Sequence, residues 1–215
     1  YNEYGKVLPL CTMSQWGWHT KPVSDERYSY SLNDVIMDEY DFNGRSVKYP
    51  RTRFEGNEEV FDWLRMNPHR VNLARIGLWF DGREIVTEDL SEIEQELDLY
   101  QGIIYSRYSL GGNLCNVMTC CDCDSDRIAF SIKSELLGRK IEIDGRMYPR
   151  LEVRIEFPYG AANITGSDWD KPNLHITEME ECGKEGFLIR RTVDKDRYFA
   201  RLETEQQASV ERQGH

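Results

Sequence analysis

The chain has 215 residues, with 38 acidic side chains against 27 basic ones and a formal charge of −11 at neutral pH. That balance, with no basic run, excludes a duplex nucleic-acid partner and an anionic membrane surface, both of which need concentrated positive charge. No stretch approaches the ~20 apolar residues of a membrane-spanning helix, and a chain this long can bury a core without disulfide staples.

The first distinctive stretch is LPLCTMSQWGWHT, residues 8–20, an apolar run ending in Trp16, Trp18 and His19. Residues two apart on a strand face the same side, which groups the two indoles. Two readings stay open. As core, each ring removes ~150–250 Å² from water and Gly17 admits a neighbouring backbone. As a ligand platform, the ring faces stack on the apolar C–H faces of a sugar while His19 reaches a hydroxyl. A metal role for His19 lacks a second ligand at helix or strand spacing. No signal peptide is present, and a start at Tyr1 rather than Met reads as a processed product or an excised piece.

Lys21-Pro22 breaks the run, and residues 25–49 are polar with interspersed tyrosines. Residues 40–45 and 47–50 read as a turn between short extended segments. Residues 57–66 form the clearest helix. Asn57 caps it, Glu58 and Glu59 suit the positive end of its dipole, and Val60, Trp63 and Leu64 make one apolar face. Pro68 stops it by pushing Asn67 out of helical geometry.

From Val71 to Phe80 the period changes to two, and Asp81-Gly82 is a two-residue hairpin turn. Residues 89–99 fit a helix through Leu90, Ile93, Glu94 and Leu97, or a strand through Ile93, Gln95, Leu97 and Leu99. The surrounding strands favour a short turn and then a strand. A meander follows: residues 103–110, a Gly111-Gly112 turn, 114–121, a turn at 122–126, and 127–133. Residues 141–143 and 146–148 flank Asp144-Gly145 as a hairpin, and 151–157 alternates apolar with charged. Residues 176–179, 186–193 and 197–202 complete the strands, with Asp194-Lys195-Asp196 turning the last pair. The pattern predicts a mainly β protein, an antiparallel β-sandwich with one or two short helices. Residues 1–203 read as a single domain and 204–215 as a polar tail or linker.

Few motifs carry chemistry. The six cysteines, Cys11, Cys115, Cys120, Cys121, Cys123 and Cys182, need no pairing, and the dense Cys120–Cys123 run lacks the second cysteine pair or histidines of a zinc site. Asp122, Asp124 and Asp126 imitate a calcium loop, but its glycine and final glutamate positions hold Arg127 and Lys133. There is no phosphate-binding glycine motif, no G-x-S-x-G elbow and no H-E-x-x-H. Glu178, Glu180 and Glu181 read as a solvated strand end. Asn163-Ile164-Thr165 has the N-glycosylation pattern, which matters only in a secreted eukaryotic chain.

The runs PLCTMSQWGWHTKP (9–22), WLRMNPHRVNLARIGLWFDG (63–82), LDLYQGIIYSRYSL (97–110) and RIEFPYG (154–160) together resemble the N-terminal β-sandwich of glycoside hydrolases related to family 65. The resemblance spans most of residues 7–203, and the tryptophan–histidine run and the NPHR…IGL block are its distinctive parts. It implies a supersandwich-type fold that this chain enters part-way, with a helical (α/α)6 catalytic barrel of the same parent protein as partner. It also implies a periplasmic or extracellular location. The catalytic acid of such enzymes lies in the barrel, so no catalytic residue, cofactor or metal is expected here. Trp16, Trp18 and His19 become candidate substrate-binding residues at the rim of the barrel's site. An autonomous carbohydrate-binding module and a protein-interaction sandwich are the alternatives; exposure of the two indoles is the feature that separates them.

Overall fold

The computed structural model of the chain describes residues 10–12, 16–22, 30–163, 165–183, 186–205 and 208–214. Residues 8, 9 and 13–15 of the first stretch, 25–29 of the polar segment and Ile164 of the glycosylation pattern lie outside the described residues. The chain is mainly β with several antiparallel sheets, the class its sequence predicts, and has one α-helix among the described residues. It divides into two compact units, one of residues 1–12 and 74–156, the other of residues 13–73 and 157–215.

The first unit is built on two four-stranded sheets. In one, Ala74–Phe80 is central, flanked by Leu10–Thr12 and Leu151–Glu156. Arg83–Glu84 folds back on it across Asp81 and Gly82, whose φ values of 50° and 78° are the two left-handed residues a tight hairpin needs. The Arg150 guanidinium clamps that turn with two 3.0 Å hydrogen bonds to the Asp81 carboxylate. The other sheet is the meander Leu90–Asp98, Ile103–Leu110, Asn113–Cys121 and Ile128–Ser134. The ambiguous residues 89–99 are a strand, in register with Ile103–Leu110 except for a bulge between Ser91 and Glu94. Glu92 sits in that bulge at φ 52°. One extra residue interrupts the alternation, which is why Leu90, Ile93 and Leu97 imitate helical spacing.

Residues of both sheets meet in one apolar core: Phe80 and Leu151 from the first, Leu110 and Cys115 from the second, with Ile85 and Leu136. Gly111 lets the turn close on this core. Its φ is 54°, and a Cβ there would lie 2.6 Å from Phe80 Cζ. The five cysteines whose side chains are described are free. Burial pushes the Cys115 thiol above its usual range, and the thiol points to Ser134 Oγ at 3.3 Å. A disulfide reagent at neutral pH is therefore expected to modify the exposed Cys121, Cys123 and Cys182 in the folded chain and to reach Cys115 only on unfolding. Mass mapping of the labelled positions checks this, and prompt labelling of Cys115 would contradict its burial.

The second unit contains the three-stranded antiparallel sheet His175–Glu181, Gly186–Val193, Asp196–Glu203. It also has the hairpin Met37–Phe42 with Arg45–Pro50, and two short ladders pairing Trp18–His19 with His69–Arg70 and Tyr159–Gly160 with Ser167–Asp168. The helix runs Glu58–Met66 with Asn57 at its N-cap, but the Asn57 side chain does not cap it. The amide turns back instead, accepting from Phe54 N at 2.7 Å and donating to Thr52 O at 3.3 Å, and fixes the loop before the helix. Asn67 leaves helical geometry as Pro68 requires, at φ −135° and ψ 125°.

The two interiors differ in kind. All eight buried polar residues among the described residues, His19, Asn57, His69, Asn72, Ser167, His175, Thr177 and Arg191, belong to the second unit. Burying a polar group costs free energy unless it is partnered. The second unit is therefore where buried polar chemistry gathers.

Candidate functional site

Trp16, Gly17 and Trp18 form one wall of a cleft of about 180 Å³, completed by Val71, Leu73, Val193, Asp196, Arg197 and Tyr198. The segment is fixed from behind: Val71 N donates to Gly17 O at 2.8 Å, and the Trp18–His19 strand pairs with His69–Arg70. The indoles stand outward, Trp16 52% and Trp18 47% exposed. Trp16 meets Tyr198 edge-to-face with centroids 6.4 Å apart, and the Arg70 guanidinium lies 5.4 Å over the Trp18 ring. Tyr198 itself is locked, its hydroxyl donating to Leu73 O at 2.6 Å. Burial holds that hydroxyl above its usual range, with the Arg191 charge pulling part of the way back.

His19 takes the opposite side of the strand and is 1% exposed. Its Nε2 lies 2.8 Å from Asp194 Oδ2, and its Nδ1 lies 3.1 Å from His69 Nε2. His69 Nδ1 sits 2.9 Å from Met66 O, one of the carbonyls the helix leaves unpaired at its negative end. Tyr159 donates its hydroxyl to the same Asp194 oxygen at 2.7 Å. The His19 ring also meets the His69 and Tyr159 rings edge-to-face, with centroids 4.9 and 5.5 Å apart. Desolvation pushes His69 below the usual imidazole range. The Met66 carbonyl opposes that fall, and the charges of His19 and Lys21 deepen it. Burial, and then the bond to Asp194, push the Tyr159 hydroxyl above its usual range.

The structure thus separates the three residues singled out in sequence: Trp16 and Trp18 line the cleft, while the His19 ring sits behind them with both nitrogens engaged. Sequence reasoning passed over the partners of His19. His69 lies in the NPHR block and Asp194 in a recognised turn, but they are 50 and 175 residues from His19 in the chain. One signal was in hand: if Trp16 and Trp18 share a face, strand alternation puts His19 on the other.

A second buried cluster lies in the same unit. Arg191, fully buried, donates to Thr177 Oγ1 at 2.5 Å, Pro158 O at 3.3 Å and His175 Nδ1 at 3.0 Å, with its guanidinium 4.7 Å over the Phe157 ring. His175 Nδ1 must accept there, so that ring carries its proton on Nε2. Among the described residues no carboxylate pairs with Arg191 and its Nε has no partner.

The remaining sequence candidates are plainer. Asp122, Cys123 and Asp124 offer ligand atoms within 4.8 Å of one another, all exposed. The Asp122 carboxylate already closes its own turn, accepting from Asp124 N and Ser125 Oγ at 2.9 Å each. Glu178, Glu180 and Glu181 are exposed on their strand, with Glu178 3.5 Å from Arg190. The Asn163 amide is engaged in its turn, donating to Ser167 O at 2.8 Å.

Comparison of the chain with protein-family models, with curated proteins and with solved structures finds no match.

Proposed function

We propose that this chain is a non-catalytic β-sandwich of a carbohydrate-active enzyme and that its aromatic cleft receives one sugar ring. The observation that carries the reading is the pair of half-exposed indoles, Trp16 and Trp18, flanking a cleft that also offers Tyr198, Asp196 and Arg197. Large flat rings with a few planar polar groups beside them suit a neutral sugar, which has apolar C–H faces and hydroxyls around its edge. The cleft, about 180 Å³ and open to solvent, suits the seating of a sugar ring. Among the described residues only one carboxylate, Asp196, lines the cleft, whereas glycoside hydrolysis needs two facing acids. In this reading the parent protein's helical barrel performs the chemistry, and the compartment is periplasmic or extracellular, both as the family-65 resemblance implies.

Soluble glycans titrated into the isolated chain test it. Binding is expected to weaken about tenfold in Trp16→Ala and in Trp18→Ala, the loss of about 1–1.5 kcal/mol of stacking. The melting temperature should fall only modestly, because both rings are half-exposed and lose one ring contact each. Hydrolysis of any oligosaccharide by the chain alone, abolished by changing one carboxylate, would defeat the non-catalytic reading. Because both rings are open in this chain by itself, an autonomous binding module is the second reading. Full glycan affinity without the barrel would favour it.

A further inference from the structure

The inference concerns the ring pair behind the cleft and deepens the binding reading by naming what positions its aromatic wall. Met66 O can only accept, so His69 Nδ1 carries a proton. Asp194 Oδ2 already accepts from Tyr159, and as a carboxylate it needs a proton on His19 Nε2. The 3.1 Å contact between His19 Nδ1 and His69 Nε2 needs one proton between the two nitrogens. Four ring nitrogens therefore hold three protons, one more than two neutral imidazoles possess. The pair carries a single positive charge, balanced by Asp194. A metal has no place here, because both nitrogens of His19 are already used.

We propose that His19, His69 and Asp194 are positioning residues that hold the Trp16–Trp18 wall against the Val193–Tyr198 wall only while the histidine pair carries exactly one extra proton. The chain of contacts runs from the helix end at Met66 through both rings to the turn at Asp194, so it ties together the segments that supply both walls. Other groups facing it are few: Tyr159 on Asp194, Lys21 and Asp196 toward His69, and Asp168 toward Tyr159. Gly160 packs against both rings with no side chain of its own.

A second proton would put N–H groups face to face at 3.1 Å, and burial opposes charge on His69. The folded chain then binds fewer protons than the unfolded one, and the contact weakens as pH falls below the usual imidazole value of about 6.5. Removing the extra proton leaves the Asp194 carboxylate facing a lone pair on His19 or breaks the ring–ring contact, so the contact also weakens as pH rises through the pair's upper titration. The two steps belong to the pair, and the profile is bell-shaped.

The test needs no glycan, so it fails or succeeds separately from the sugar reading. Nuclear magnetic resonance of histidine nitrogens in the labelled chain gives the charge and tautomer of each ring. A fluorotryptophan signal at position 18, assigned with Trp18→Phe, reports the wall from about pH 4 to about pH 9. Expected are a neutral His69 protonated on Nδ1, a His19 protonated on both nitrogens, and a Trp18 signal steady between two midpoints and shifted beyond each. Asp194→Asn should abolish the upper limb alone, because an amide nitrogen in the place of Oδ2 can donate one proton to a neutral His19 and the other to the Tyr159 hydroxyl oxygen. His69→Gln should abolish the lower limb. Two neutral rings on the plateau, a Trp18 signal that ignores both limbs, or an Asp194→Asn variant that keeps the upper limb would each overturn the proposal.

Discussion

Arg191→Ala is expected to destabilise the second unit by about 3–5 kcal/mol, the largest single effect foreseen in this molecule. The side chain is fully buried and supplies protons to three acceptors, Thr177 and His175 on one strand and Pro158 on another segment. Removing it strands Thr177 Oγ1, the Pro158 carbonyl and His175 Nδ1 away from water, at about 1–3 kcal/mol for each group left unsatisfied. It also opens a cavity under Phe157. Arg191→Met separates these terms. Methionine removes the same buried charge and strands the same three acceptors, but refills most of the space. Its loss should be less than half that of alanine. Denaturant unfolding of the two variants against the parent chain makes the comparison, and equal losses would mean that the stranded acceptors rather than packing govern the site.

Gly160→Ala should cost about 2–3 kcal/mol, although it adds a single methyl group. Gly160 lies in the strand Tyr159–Gly160 and its φ is outside the left-handed region, so alanine meets no backbone penalty. The fault is purely steric. The new Cβ would lie 2.7 Å from His19 Nδ1 and 3.1 Å from His69 Nε2. Neither ring can retreat, since each is tied at its far nitrogen and both are buried. The methyl must therefore break the ring–ring contact or move the strand. A loss below about 0.5 kcal/mol by thermal or denaturant unfolding would show that the rings have room the structure does not reveal.

What the sequence made legible was local. Asn43-Gly44, Asp81-Gly82 and Asp144-Gly145 announce hairpins because their left-handed geometry restricts the residues that fit, and all six have positive φ. The last strand pair was legible for the same reason, with Asp194 at φ 54° in its turn. The bulge at Glu92 left the strand Leu90–Asp98 open to a helical reading, since an inserted residue blurs the period of two, and the surrounding strands rather than the local pattern pointed to it. Asn57 marked the start of the helix correctly, yet its side chain serves the preceding loop, because the choice among nearby donors and acceptors depends on loop geometry that no residue pattern encodes. The site was half legible. Trp16 and Trp18 drew attention by type, but their exposure was open until coordinates placed them. Arg191 carried no signal at all: in a strand of alternating character it looks like any solvent-facing arginine.

The second unit is assembled from two stretches of chain separated by residues 74–156. The early stretch brings both imidazoles, and the late one brings Tyr159, Gly160 and Asp194. Translation therefore delivers the rings long before their counter-charge emerges. A ribosome-bound chain stopped short of residue 194 would leave His19 and His69 without the Asp194 carboxylate, so the polar interior of this unit cannot close until its late stretch has been made.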